Sequence, residues 1–230
     1  NPTTQIKGDT ILDALEKFVK PPKRNETGPL RIPVSGVYNI KGVGAIIAGR
    51  IEQGIVNEGD SIAFTPCNIS GCKMFSMEMH HKKYAKCYPG DNIGMSIKGL
   101  SKDLMPKAGD VIYNPKEGEC PPVKSFVAMI NVQDHPGQLK EGFCPIVHVR
   151  TTKISCKMTK INWKMSKKTG DTKQESPSFI EKGETAEVVF EPMKPMFLEK
   201  FSDTPGMGRI AVMNSNSLVM LGKVMDVTHL

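Results

Sequence analysis

The stretch MEMHHKKYAKCYPGDNIG, residues 77–94, sets His80 and His81 side by side, follows them with Lys82, Lys83 and Lys86, and closes on a Pro-Gly-Asp-Asn turn. Adjacent imidazoles can ligate a metal, move a proton or hydrogen-bond a ligand. Cys67, Cys72 and Cys87 lie close enough in sequence to suggest zinc. Yet none of the six cysteines, which also include Cys120, Cys144 and Cys156, forms the C-x-x-C unit of a structural zinc site. The run KMFSMEMHH alternates like a strand, which would send His80 and His81 to opposite faces and keep them from sharing one ion. Free buried thiols are the simpler reading, and no metal ligand set is assigned. Two ordinary surface histidines beside a hairpin remain an alternative to a ligand site.

Other chemistries lack their local signatures. There is no G-x-x-x-x-G-K-[ST] loop for phosphates, no Asn-Lys-x-Asp guanine reader and no G-x-S-x-G nucleophile elbow. Gly42-Val43-Gly44 sits between strand-like runs and reads as a hairpin bend, not a dinucleotide fingerprint. The chain itself is therefore expected neither to bind nor to hydrolyse GTP, and no catalytic residue is assigned.

The elements that must hold these residues follow from patterning. DTILDALEKFVKPP, residues 9–22, reads as a short helix with a capping-box-like pair, Thr10 and Asp13, an apolar stripe of Ile11, Leu12, Leu15 and Val19, and a Pro-Pro stop. A helix this short is marginal in water unless that stripe packs on something. After PPKRNETGP the texture changes to short apolar runs broken by glycine, the spacing of an all-β barrel or sandwich. A second cluster of turn formers, NPKEGECPP at 114–122, divides the chain again before new alternating runs begin. In one of them, INWKM, strict alternation puts Ile161, Trp163 and Met165 on one face and Lys160, Asn162 and Lys164 on the other. The expected fold is all-β: two consecutive antiparallel β-barrels preceded by a short helical stub, with units at 1–27, 28–118 and 119–230.

Charge narrows the partner class. Lys and Arg number 31 against 24 Asp and Glu, for a net charge of +7. From 153 to 173 lie Lys153, Lys157, Lys160, Lys164, Lys167, Lys168 and Lys173 against a single Asp171. With Lys82, Lys83 and Lys86 this makes two basic patches, one on each expected barrel, which suits a phosphate backbone. One patch alone would read as a solvated face. No run of about 18 or more apolar residues crosses a bilayer, so a cytoplasmic location and no membrane partner are expected.

Read together, IPVSGVYNIKGVGAIIAGRIEQG (32–54), residues 77–94, HPGQLKEGFCPIVHVRT (135–151) and FSDTPGMGRIAVMNSNSLVMLGKV (201–224) resemble the second and third domains of eukaryotic elongation factor 1-alpha. SGVYNIKGVG, WKMSKKTG and NSNSLVMLGKV resemble still more closely the elongation-factor-like proteins that replace it in some eukaryotes. The resemblance implies a translational GTPase that uses GTP and Mg to carry aminoacyl-tRNA to the ribosomal A site, and that works with a guanine-nucleotide exchange factor. It implies that the GTPase domain lies upstream of Asn1, with the first helix as its last element. It also implies that the tRNA 3′ adenosine packs between Ile40 and Glu78, that Tyr38, Asn92 and Met95 close the pocket around the aminoacyl ester, and that His80 and His81 form its rim. The acceptor and T stem would lie along Arg150, Lys157, Lys160, Lys164, Lys167 and Lys168. Where bacterial relatives carry carboxylates this chain has Ser35 and Gly36, and an arginine expected near Ser217 is missing. Two other readings are a release- or rescue-type member of the superfamily and a filament-bundling protein whose lysine-rich second barrel binds actin.

Overall fold

In the computed structural model, which describes residues 10–20, 22–42, 44–101, 104–166 and 172–230, helix α1 (Ile11–Phe18) opens on Thr10. The Thr10 hydroxyl accepts from the Asp13 amide at 3.2 Å and the Asp13 carboxylate accepts from the Thr10 amide at 2.9 Å, a complete capping box. None of its residues is buried, and Ile11, Leu12, Leu15 and Phe18 all face solvent.

The first barrel is made from β1 (Ile32–Ile40), β2 (Gly44–Arg50), β3 (Val56–Asn57), β4 (Ser61–Thr65), β5 (Ile69–Met79), β6 (Lys82–Tyr84), β7 (Lys86–Cys87), β8 (Asn92–Lys98) and β9 (Val111–Tyr113). Strands in the order β4-β9-β1-β2-β8-β5 form an antiparallel ring closed by β4–β5 pairing. The β5–β6 hairpin projects from it, and β3 pairs with β7 apart. Inward residues such as Ile32, Val34, Ile47, Phe64, Met74, Met77 and Met95 fill the centre.

The second barrel comprises β10 (Val123–Val132), β11 (Ile146–Val149), β12 (Thr152–Met165), β13 (Gln174–Glu175), β14 (Thr185–Pro192), β15 (Arg209–Asn214) and β16 (Ser217–His229). Its ring runs β11-β15-β16-β10-β14-β12 and closes through β11–β12. Phe126 and Phe190 stack at its centre, 5.4 Å between ring centroids. The two-barrel expectation is met.

A tight seam joins the barrels. Arg31 of the first reaches Glu199 of the second at 2.7 Å, and Arg150 of the second reaches Glu52 of the first at 2.6 Å. The Thr65 hydroxyl donates to the Cys120 carbonyl at 2.6 Å and the Thr152 hydroxyl to the Gly109 carbonyl at 2.7 Å. Val111 of β9 belongs to the core of the second barrel. No helix among the described residues is long and apolar enough to cross a membrane.

Two β-bulges decide what the first barrel shows to solvent. Pairing of β1 with β2 slips between Val34 and Gly36, and pairing of β5 with β8 slips between Met74 and Ser76. Each bulge resets the in–out alternation, a common device beside functional sites. Ile32 and Val34 point inward and so, three residues on, does Val37, leaving Tyr38 and Ile40 outside. Cys72 and Met74 point inward and then Met77, leaving Phe75 and Glu78 outside.

Candidate nucleic-acid interface

Cross-strand pairing assembles the outer face of β1, β2, β8 and β5 in rows. One row is Gly36, Ala48, Gly94 and Glu78; the next is Tyr38, Ile46, Ser96 and Ser76; a third begins with Ile40 and Gly44. The floor is thus made of small residues, and larger ones stand at its edges. Gly94 is at the middle, where a Cβ would sit 3.5 Å from Ile46 Cγ2. The result is a cavity of about 640 Å³ lined by Ile40, Ile46, Phe75, Glu78, His80 and His81, among others. That is within the usual range of about 300–1,000 Å³ for ligand pockets.

His80 and His81 are not strand residues. Met79 pairs with Lys82, so the two histidines are the whole connection of the β5–β6 hairpin, and both adopt the left-handed conformation, φ 52° and 61°. Positive φ at both central positions is the type I′ form of a two-residue hairpin, whose twist matches that of the strands, and that geometry overrides the alternation read from KMFSMEMHH. Both imidazoles then project at the cavity rim. Cys72 and Cys87 are buried in the barrel core, so the sheet separates them from the histidines. Burial, with Asp91 adding to it, pushes the Cys87 thiol up to about 11. Among the described residues no three His, Cys, Asp or Glu side chains converge on a point where a metal could bind.

The other expected pocket residues lie elsewhere. Met95 is fully buried, because β8 alternates Asn92, Gly94 and Ser96 outward with Ile93 and Met95 inward; it belongs to the core and offers no wall to a ligand. Tyr38 is 57% exposed, and its ring lies back along β1 so that a Cβ on Gly36 would come within 2.8 Å of the phenol oxygen. Gly36 is what lets the ring lie there. Asn92 faces a second cavity of about 480 Å³ at the barrel seam, with Ser35, Arg50, Glu52, Arg150 and Thr151. The turn before it is fixed by the Gly90 amide donating to the Ile51 carbonyl at 2.7 Å and the Ile51 amide to the Asp91 carbonyl at 3.0 Å. Gly94 lines both cavities, which makes them two ends of one furrow.

On the second barrel, Arg150 occupies the two-residue β11–β12 turn with φ 52°, and its charge is committed to Glu52 while its Nε donates to the Gly206 carbonyl at 3.0 Å. Lys157 and Lys160 are exposed on β12. Lys164 departs from the expected lysine face. Pairing of β12 with β14 slips at Met158/Lys160 and again at Ile161/Trp163, which puts Lys164 opposite the fully buried Ala186. It is only 12% exposed, ion-paired with Glu184 at 3.1 Å, and its ammonium lies 4.4 Å from the Phe179 ring centroid. Lys167 and Lys168 lie outside the described residues.

Phe75 and the seam residue Glu52 were not singled out from the sequence. The spacing Cys72-x-Met74-x-x-Met77 did carry the signal for Phe75, since a three-residue step between inward positions marks a bulge. Nothing local in the sequence points to Glu52, whose partner is almost a hundred residues away.

Known proteins share this sequence pattern and fold. Residues 125–225 match the family described as GTP-eEF1A C-terminal domain-like. Elongation factor 1-alpha of Archaeoglobus fulgidus is 39% identical over 228 residues, covering 98% of this chain and 52% of that protein. The Metallosphaera sedula protein of the same name is 40% identical over 222 residues, 96% of this chain and 50% of that one. The chain thus spans about half the length of the curated relatives it matches. Among solved structures, sup35 complexed with GDP shares the fold at a TM-score of 0.79 and 22% identity, over 97% of this chain and 53% of that one.

Proposed function

Because the chain belongs to the elongation factor 1-alpha and elongation factor Tu superfamily, as its two-barrel portion, we propose that it binds aminoacyl-tRNA, holding the charged 3′ end in the furrow of the first barrel and the stem along the second. The observation that carries this reading is the convergence of Ile40, Glu78, His80 and His81 on one cavity, although they come from two bulged strands and a hairpin turn. The apolar side chains of Ile40 and Ile46 suit the face of an adenine, and the Glu78 carboxylate accepts from its amine or from a ribose hydroxyl. The histidines at the rim and Asn92 at the far end supply donors for the aminoacyl ester. Tyr38, whose ring lies back over Gly36, is outside both cavity linings and keeps only a flanking part in this reading. Exposed Lys157 and Lys160 meet stem phosphates without reading sequence, and Lys167 and Lys168 belong to the same proposed patch.

Delivery to the ribosomal A site, coupling to GTP and Mg, use of an exchange factor and action in the cytoplasm are parts of this proposal that concern the whole protein. Among the described residues, the one α-helix N-terminus is not open to a phosphate. The only α-helix among the described residues has its N-terminal amides capped by Thr10 and faced by the Asp13 carboxylate, which repels phosphate.

The test is a ratio measured within one protein. Charged tRNA is expected to bind more tightly than uncharged tRNA, and His80→Ala or Asn92→Ala to shrink that ratio, because a site built to hydrogen-bond the ester leaves groups unpaired without it. Lys157→Glu and Lys160→Glu are expected to weaken both forms together and to lower the log–log salt slope by roughly 0.7 to 0.9 per lost phosphate contact. An unchanged ratio in both pocket variants would remove the ester from the furrow.

A further inference from the structure

The cavity has a second apolar wall that binding of one adenosine does not use. The bulge in β5 pushes Phe75 outward, where it is 45% exposed and lines the same cavity as Ile40 and Glu78. An aromatic ring half in water on a strand surface gives up the burial that usually holds it. Here one side of the ring is occupied: the Lys98 ammonium lies 3.7 Å from its centroid, while Lys98 itself is not part of the cavity lining. The cavity is left to the rest of the ring.

Lys98 is also directly paired across the sheet with Lys73. Like charges placed opposite each other on one sheet face are destabilising, and among the described residues neither lysine is held in an ion pair. Lys83 adds a third positive charge at the cavity. An aromatic face beside uncompensated cations suits single-stranded nucleic acid, in which bases stack on rings and phosphates neutralise lysines. Geometry says how many bases. Adjacent strands lie about 4.8 Å apart, so Ile46 on β2 and Phe75 on β5, with β8 between them, are roughly 10 Å apart. A single base cannot be sandwiched across that distance, whereas two successive nucleotides can each take one wall.

We propose that Phe75 is the stacking platform for the nucleotide immediately 5′ of the terminal adenosine, and that the Lys73–Lys98 pair receives the phosphate on its 5′ side. This rests on the reading that the cavity takes the terminal adenosine. It adds a second base subsite and makes the chain a reader of a dinucleotide end.

Fluorescence anisotropy with short labelled RNA ending in CCA separates the two ideas. One probe is intact, one has an abasic ribonucleotide at the penultimate position, and one lacks the terminal adenine base. With the wild-type chain the penultimate abasic probe is expected to bind about fivefold or more weakly than the intact one. With Phe75→Ala the two probes should bind alike, and Phe75→Tyr should restore the difference. Lys73→Gln should reduce the log–log salt slope by about 0.7, the value for one single-strand phosphate. Because Phe75 is exposed, its variants are expected to melt with the wild type, which circular dichroism checks. If losing the penultimate base costs the same factor with and without Phe75, or costs the wild type nothing, the second subsite is wrong. If losing the terminal base costs nothing, the first reading falls and takes this one with it.

Discussion

The left-handed pair His80-His81 shows how much a hairpin will tolerate to present particular side chains. A non-glycine residue in this conformation costs roughly 1–2 kcal/mol, and asparagine-glycine is the pair such turns prefer. His81→Gly is therefore expected to raise stability by a few tenths to about 1 kcal/mol, net of the freedom glycine gains in the unfolded chain. A urea midpoint reads this, and the charged-to-uncharged tRNA ratio should fall in the same variant. A second expectation concerns the cysteines. Burial, with Asp110 beside it, pushes the Cys67 thiol up to about 12, and burial takes Cys120 to about 11 and Cys156 to about 12. With Cys87 these thiols stay protonated at neutral pH, and Cys144 is the exposed one. Iodoacetamide at pH 8 should label Cys144 alone until the chain unfolds, as intact mass would show. These folded values lie above the ordinary 9.0, so the unfolded chain releases thiol protons first. Their stabilising contribution is present below pH 9 and is lost as pH climbs from 9 towards 11–12. Cys156→Ala should make that decline shallower. At this scale the sequence singled out two histidines that the fold sets at the cavity rim but not their conformation, because turn type is set by strand register and a register is a relation between two segments.

Bulges account for most of what alternation alone misplaced. The periodic runs identified strands and barrels correctly, since inward and outward positions average out over a whole strand. They failed wherever one extra residue reset the count: Lys164 turned inward by the slips in β12, and Phe75 turned outward in β5. Met95 was different, a residue whose inward direction simple alternation with Ile93 already gave. The two lysines of β12 offer a direct check. Lys164→Ala strands Glu184, which is only 12% exposed, and is expected to cost about 1–2 kcal/mol, less than a fully buried pair because solvent still reaches it. Lys160→Ala, on the exposed face, should change stability by no more than about 0.5 kcal/mol while weakening RNA binding. Equal stability losses in thermal or urea unfolding would mean that the two lysines share one face after all.

Across the whole molecule, the seam makes the two barrels one mechanical body on which furrow and basic strand keep a fixed separation. Arg31 is 7% exposed and stacks over Phe197, 5.6 Å from the ring centroid, as well as pairing with Glu199. Glu199→Ala leaves that guanidinium buried without its counter-charge. The expected cost is on the order of 3 kcal/mol, and calorimetry should show the single transition broadening or splitting as the barrels uncouple. Little of this was legible in the sequence, because the partners lie about a hundred residues apart or more and belong to no motif. The two ion pairs are also reciprocal, each barrel giving one arginine and receiving the other. Neither barrel can therefore be exchanged as a module. A hybrid that took its second barrel from a relative with different residues at 150 and 199 would inherit two mismatched contacts at once. Those four positions should change together in descent or not at all, and they give the shortest list of compatibility checks for anyone grafting one barrel onto another.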